Sequence, residues 1–509
     1  MKQLTDLEYL RLTKIKKFGY NFVRFFTSIP GKFVGLFKKI GLFFKKLGLG
    51  IVEFFKDVGT TFVRGDWKTK VSYFIMGFGN LTRGQILRGV MFLALEAAFI
   101  YYMIAVGAPN IAKLGTLGTV ETHTEQVIIA GRTVEKTIYG DNSFKILLYG
   151  VMSIFFVIAL VYTWYQNIKQ NKIAEYILSK GKPLKSGKQD IHSLVDDQFH
   201  KSLLALPLLG ILIFTVLPTF FMILIAFTNY SGPDHLPPGK LFNWVGFENF
   251  GKIFGWSNGS TYFASSFGEI LVWTLIWAFF ATFTNYFLGM LVALAINKKG
   301  IKGKKIWRGI LVLTIAIPQF ISLLFVSKMF AQNGIINSTL IKWGWINEAL
   351  PFFTDKIWAR VTVIVINIWI GVPYLMLMIS GVLMNIPADL YESAKIDGAN
   401  GLQQYFKITL PYTLFVTGPY LLTSFIGNIN NFNVIYLLTG GAPNGDMDMT
   451  SAGAGETDLL ITWLFKLTVD KTNYYMASVI GILVFVVIAV LSLIVYNIMP
   501  SVKNEEDFQ

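Results

Sequence analysis

Eight apolar runs dominate this chain, at roughly 86–107, 145–165, 203–227, 269–296, 308–331, 359–384, 412–437 and 474–499. Each is long enough to cross a hydrocarbon layer, which takes about 20 residues of helix. Inside such a layer only helices or closed barrels satisfy every backbone polar group. The runs are continuous rather than alternating, so the expected fold is an all-α polytopic membrane protein of about eight transmembrane helices. Composition agrees: of the 509 residues, 53% are hydrophobic and 15% charged, against about 25% charged in a soluble domain. Cysteine is absent, which removes disulfides and thiolate chemistry. The four histidines (His123, His192, His200, His235) form no ligand-spaced pair, so no metal site is expected. A net charge of +15 would suggest nucleic acid in a soluble protein; here the membrane explains it, and no nucleic-acid partner is expected.

The connections between runs carry that charge unevenly. Segments 1–84, 166–202, 297–308, 385–410 and the tail from 500 hold 32 Lys and Arg, and the four alternate connections hold 9. Asp and Glu divide almost evenly, 15 against 13. Basic residues alone are lopsided, as orientation by the positive-inside rule requires. Both termini and the 385–410 loop are therefore expected on the cytoplasmic side of a cell membrane.

The tail over 1–84 interleaves lysine with phenylalanine: Phe33, Phe37, Lys38, Lys39, Phe43, Phe44, Lys45, Lys46, Phe54, Phe55. Apolar residues recur every three or four positions, a pattern for helices lying in the headgroup layer with lysines toward anionic lipid. No apolar core of signal-peptide form precedes a small-residue cleavage site, so no cleaved leader is expected.

Ion-driven carriers place ionisable groups inside the membrane. The runs hold six charged residues, Arg88, Glu96, Lys145, Glu269, Lys328 and Arg360, and only Glu96 and Lys328 lie away from run ends. Glu96 reads as a buried carboxyl satisfied by a neighbouring helix rather than a proton relay. The segment Gly181-Lys182-Pro183-Leu184-Lys185-Ser186-Gly187-Lys188-Gln189 has five residues between its glycines, and Gln189 stands where a phosphate loop needs a hydroxyl for Mg²⁺. The chain thus carries no nucleotide site, and energy for transport must come from another polypeptide.

Between two apolar runs lies a polar island, Tyr391-Glu392-Ser393-Ala394-Lys395-Ile396-Asp397-Gly398-Ala399, continuing to Phe406-Lys407-Ile408-Thr409-Leu410-Pro411. It reads as a short helix over 391–396, a glycine break at Gly398 and Gly401, and a second amphipathic stretch stopped by Pro411. The island resembles the E-A-A loop of binding-protein-dependent ABC importer permeases, E-A-A-x-x-D-G-A followed by I-x-L-P, departing only at Ser393. The resemblance implies that Tyr391, Glu392, Ser393, Ala394, Asp397, Gly398 and Ala399 form the socket through which an ATPase drives the membrane domain, with ATP and Mg²⁺ held by that ATPase and no cofactor in this chain.

Further stretches resemble sugar-class members of this family, from about 203 to the C-terminus: Phe227-Thr228-Asn229-Tyr230, Val245-Gly246-Phe247-Glu248-Asn249-Phe250, Leu437-Leu438-Thr439-Gly440-Gly441-Ala442-Pro443 and Asn473-Tyr474-Tyr475-Met476-Ala477-Ser478. In the third of these stretches Ala442 is an insertion before Pro443. The whole resembles maltose/maltodextrin permease subunits of Gram-positive type, because loop 228–268 is too short for the folded insert of the Gram-negative form. The implied organisation is a tail over 1–84, two accessory helices over 85–202 with extracellular loop 108–144, a MetI-like core of six helices over 203–499 with coupling loop 385–411, and a tail over 500–509. The implied partners are a second permease subunit, an ATPase dimer and a lipid-anchored extracellular sugar-binding protein.

A neutral oligosaccharide needs amides, hydroxyls and aromatic faces. The run Trp369-Ile370-Gly371-Val372-Pro373-Tyr374 combines aromatics with a glycine and a proline that can kink the helix. In Ser424-Phe425-Ile426-Gly427-Asn428-Ile429-Asn430-Asn431-Phe432-Asn433, Ser424, Asn428 and Asn431 fall on one face of a continuous helix. The resemblance implies that Ser424, Asn428 and Asn431 line a sugar site opposite Ile370, Gly371 and Tyr374. Gly427 departs from the family's phenylalanine, which would widen that site. The plain alternative is that the asparagines only join helices.

Two rival functions remain at this point. A polytopic membrane transferase would need clustered carboxylates, for which Asp446, Asp448, Glu456 and Asp458 are the only candidates; they read as a solvated loop. A permease for raffinose- or galactan-type oligosaccharides, or another solute, is the other.

Overall fold

The computed structural model describes residues 38, 41–42, 44–129, 132–235, 241–256, 261–298 and 300–498. Phe33, Phe37, Lys39, Phe43 and the tail over 500–509 lie outside these residues. Among the described residues six helices are long and apolar enough to cross a membrane: α1 (Ile86–Lys113), α2 (Ser143–Ser179), α3 (Phe199–Ile225), α4 (Thr261–Asn297), α7 (Lys356–Met384) and α12 (Tyr474–Ile498). A seventh crossing exists if α5 (Lys304–Ala316) and α6 (Gln319–Met329) count as one, but they meet at 90°. The bend has a local cause. Proline disfavours helical geometry in the residue before it; Ile317 is extended at ψ 127°, and Pro318 restarts the chain.

The expected run over 412–437 is not a single helix. Helix α9 (Leu410–Ile429) stops at Asn430, and α10 (Phe432–Leu438) begins anew with Asn431 as its N-cap. Between α7 and α9 lies α8 (Ala388–Ile396); beyond α10 lies α11 (Leu460–Val469). A hairpin, β1 (His123–Ile129) and β2 (Arg132–Ile138), pairs Ile129 with Arg132 in antiparallel register. No strand was expected there, although Thr, Val and Ile are frequent on both sides of Gly131, a composition that favours strands.

Among the described residues three π-turns interrupt helices, and each precedes a proline. In Met103–Gly107, Leu212–Val216 and Tyr405–Thr409 the next residue (Ala108, Leu217, Leu410) donates its N–H five residues back, to Met103, Leu212 and Tyr405. The residue after that is Pro109, Pro218 or Pro411. A proline ring clashes with the carbonyl four residues earlier and offers no N–H; widening the preceding turn relieves both problems. Pro411 therefore does not stop the amphipathic stretch, contrary to expectation: the helix runs from Gly401 to Ile429 through the wide turn.

The chain forms two compact units, one over 1–111 and 149–210, the other over 112–148 and 211–509. In the first, residues 44–64 are helical, and a polar network joins residues 66–83 to the far end of α2. Asn167 bridges Gly77 N–H (2.9 Å) and the Ser72 carbonyl (2.8 Å), and Arg83 reaches Asp66 (2.6 Å) and Asn171 (2.7 Å). Glu96 accepts from Met76 N–H at 2.7 Å, and Arg88 grips Asp190 with two bonds of 2.6 Å. Glu96 is thus satisfied by a neighbouring segment, but that segment is a turn rather than a helix, and the carboxyl is half-buried rather than buried.

In the second unit α4 and α7 pack intimately. A Cβ on Gly289 of α4 would fall 2.7 Å from Leu375 Cβ, and one on Gly371 of α7 would fall 2.3 Å from Asn285 Nδ2. In lipid, where apolar burial drives little helix association, such close approach is what holds helices together. Buried Tyr286, Met290, Leu375 and Met376 fill one layer; Trp273, Trp277, Val363 and Val434 fill another. At one end Glu269 of α4 meets Lys356 and Arg360 of α7, and both cations also reach Glu456, at 2.9 and 3.2 Å.

Of the four acids read as a solvated loop, Asp446 is exposed and Asp448 half-exposed, but Glu456 and Asp458 are buried. Asp446 caps the helix Met447–Ser451, Glu456 is buried against Lys356 and Arg360, and Asp458 is fully buried, bonded to Gly455 N–H (2.7 Å) and Lys466 (2.7 Å). Glu456 and Asp458 tie the segment 439–458 to its neighbours, where Gly440 and Gly441 take positive φ and Ala442–Pro443 is a cis peptide.

Candidate functional site: an amide-bearing layer and a capped loop

Helix α8 has an acid, Asp389, in its first turn and Lys395 in its last, both matched to the helix dipole. Its end explains the sequence pattern around it. Gly398 has φ +75°, Ala399 N–H donates to the Ala394 carbonyl at 2.8 Å, and Gly398 N–H donates to the Lys395 carbonyl at 3.0 Å. This is a complete Schellman closure. It fixes a glycine where left-handed backbone is required, and places Ala394 and Ala399 at the two residues whose contact accompanies such a closure. Asn400 then opens the next turn by a capping box with Gln403.

Of the loop residues, Glu392, Ser393, Asp397 and Gly398 are exposed, while Tyr391, Ala394 and Ala399 are half-buried. Tyr391 turns inward, its hydroxyl 2.8 Å from Thr409 Oγ1. Ile396, Leu402 and Phe406 are exposed by 87%, 70% and 61%, an apolar tip on an otherwise polar loop.

The sugar-site candidates fall into two groups that both reach α4. On α7, Ile370 packs beside the Trp273–Trp277 layer, Gly371 abuts Asn285, and Tyr374 is half-exposed with its ring 6.4 Å from Tyr420 of α9. Around the end of α9, Asn428 Nδ2 donates to Thr282 Oγ1 at 2.9 Å, and its carbonyl accepts from Trp277 Nε1 at 3.1 Å. Asn431 Nδ2 donates to Asn428 Oδ1 at 3.3 Å, while its own Oδ1 caps Val434 N–H at 3.2 Å. Ser424 is half-buried one turn earlier. Gly427 is exposed, and a Cβ there would meet nothing within 4 Å.

Ser424, Asn428 and Asn431 therefore do not share one continuous helical face, because the helix breaks at Asn430. Asn431 reaches Asn428 across that break instead. Thr282, Asn285 and Asn367 were missed in the sequence, though amides within an apolar run are the same signal that drew attention to Asn428. Asn285 and Asn367 are buried, and Asn285 Oδ1 and Asn367 Nδ2 have no hydrogen-bond partner. Polar atoms in that state are costly unless another group reaches them. Among the described residues no three His, Asp or Glu side chains gather as metal ligands.

The sequence profile of the binding-protein-dependent transport system inner membrane component family matches residues 285–504, which include α7 through α12. The maltodextrin transport system permease protein MalC of Streptococcus pneumoniae serotype 4 is 33% identical over 441 residues, 85% of this chain and 95% of its own. The chain belongs to this permease family. Two Bacillus subtilis relatives are nearly as similar to the permease. The maltodextrin permease MdxF is 32% identical over 443 residues, 85% of this chain and 95% of its own. The galactooligosaccharide permease GanP is 32% identical over 433 residues, 85% of this chain and 97% of its own. The permease is a multi-pass plasma-membrane protein and a transport subunit rather than an enzyme.

Proposed function

We propose that this permease is one of two non-identical membrane subunits of an ATP-driven importer for maltodextrin-type oligosaccharides. An extracellular binding protein delivers the sugar, and an ATPase dimer on the cytoplasmic side supplies the work. The observation that carries the reading is the loop 388–399, a Schellman-closed helix with Ile396 exposed on it, tied by Tyr391 to the helix that carries Asn428 and ends at Ile429. A knob of this form suits a cleft in a partner. The excess of basic residues in alternate connections supports a cytoplasmic position for it and for both termini.

In this reading the tail over 1–84 lies at the membrane surface, residues 85–202 are accessory, and 203–499 form the core. Glu392 and Ile396 meet the ATPase. ATP-driven closure there displaces α8, and the core helices rock between inward- and outward-facing arrangements. Ser424, Asn428 and Asn431 bind sugar hydroxyls, Tyr374 offers a face to the ring, Ile370 and Gly371 shape the wall, and Gly427 leaves room.

The test is uptake of labelled maltodextrins by the complete complex in proteoliposomes. Asn428→Leu should abolish uptake while the complex still assembles and hydrolyses ATP; unaltered uptake kinetics would refute the site. A galactooligosaccharide substrate is the second reading, prompted by the 32% identity to GanP beside 33% to MalC. A panel of α-glucans and β-galactans in the same assay separates the two.

A further inference from the structure

A line of hydroxyls runs from the coupling loop into the helix layer that carries the amides. Tyr391 of α8 touches Thr409 Oγ1 at 2.8 Å. Thr413 Oγ1 donates to the Thr409 carbonyl at 2.6 Å, and Thr417 Oγ1 to the Thr413 carbonyl at 2.6 Å. Thr417 Oγ1 lies 2.8 Å from the hydroxyl of Tyr286 on α4. Because the Thr417 hydrogen is spent on the Thr413 carbonyl, Tyr286 is the donor in that last bond. Thr409, Thr413, Thr417 and Tyr286 are all 3% exposed or less. One turn before Tyr286 on α4 stands Thr282, which receives Asn428.

This line spans the weakest part of the helix. The π-turn Tyr405–Thr409 and Pro411 remove regular backbone bonds. A displacement of α8 would dissipate there unless something bridged it. We propose that Thr409, Thr413, Thr417 and Tyr286 are positioning residues that carry motion of loop 388–399 to α4 and the amides, so that hydrolysis and sugar movement stay in step. The proposal rests on the reading of that loop as the coupling element.

The experiment compares hydroxyl with shape. Thr413→Val and Thr417→Val keep volume and lose the hydroxyl; Thr413→Ser and Thr417→Ser keep the hydroxyl and lose a methyl; Tyr286→Phe removes the donor. Each is purified as the full complex, reconstituted with the binding protein, and assayed for sugar imported per ATP hydrolysed. The valine variants and Tyr286→Phe should import about fivefold less sugar per ATP, the effect of one lost buried hydrogen bond, with sugar-stimulated hydrolysis retained. The serine variants should keep the parental ratio. A parental ratio in the valine variants, or equal losses in serine and valine variants, would overturn the proposal. Gly398→Trp serves as the control. If it uncouples while the valine variants do not, only the hydroxyl line has failed; if it leaves the ratio intact, the reading of the loop has failed with it.

Discussion

Gly371 of α7 lies so near Asn285 of α4 that an added Cβ would stand 2.3 Å from the amide nitrogen. The residue that sequence comparison assigned to a sugar-facing wall thus also serves as a contact between two spanning helices. Gly371→Ala requires the Asn285 amide to swing away, and Asn285 Nδ2 then loses its contact with the Asn367 carbonyl at 3.5 Å. Overpacking of this kind costs about 1–3 kcal/mol. We expect a lowered melting temperature and a lower yield of assembled complex for Gly371→Ala, and near-complete loss for Gly371→Leu, both read by thermal unfolding of the purified complex.

Gly398 poses the opposite situation. Its φ is +75°, yet a Cβ there would meet nothing within 4 Å. Within this chain any substitution pays only for left-handed backbone, about 1–2 kcal/mol for an ordinary residue. Gly398→Ala should therefore cause a modest loss of coupled uptake and Gly398→Asn less, since asparagine tolerates that conformation. Gly398→Trp adds no clash inside the chain, so a further collapse of uptake at normal abundance would report contact with the ATPase. Equal behaviour of Ala and Trp variants in the transport assay would argue against that contact.

Much of this was legible in the sequence because each feature had a local cause. The D-G-A pattern encodes a helix closure, and the apolar runs encode spanning length. What escaped was non-local or mutual. A proline reads as a helix stop, and nothing in Ile408-Thr409-Leu410-Pro411 alone reveals that a wide turn ahead of it lets the helix continue. The break at Asn430 arises because Asn431 caps α10, a competition between two helices that periodicity cannot rank. The buried state of Asp458 and Glu456 depends on Lys466, Lys356 and Arg360, which are distant or on other elements.

Gly427 allows a specificity test that does not threaten the fold. Space is open around its Cβ position, so Gly427→Phe should be accommodated with little change in melting temperature. A ring at that position narrows whatever passes Asn428, one residue away. We expect uptake of long maltodextrins to fall relative to maltose, with the two measured in competition in the same vesicles. A parallel fall for every chain length would indicate damage rather than selection.

The last prediction concerns acidity and the hairpin connection. Asp141 Oδ1 receives Lys113 at 2.5 Å, and Oδ2 receives Thr119 N–H at 3.0 Å and Val120 N–H at 3.3 Å. The Lys113 ammonium first, then the Thr119 amide, hold this carboxyl below the usual carboxylate range despite a smaller opposing effect of burial. A depressed folded-state value means that ionised Asp141 favours the folded arrangement. Its contribution is complete above the ordinary aspartate value of about 3.9 and fades as pH falls through the lower folded value. Amide-exchange protection of Thr119, Val120 and the β1–β2 strands, corrected for intrinsic rates, should hold from neutral pH to about 4 and decline below it. Asp141→Asn should show the lowered protection at neutral pH already and lose the acid dependence; protection that rises on acidification would contradict the assignment.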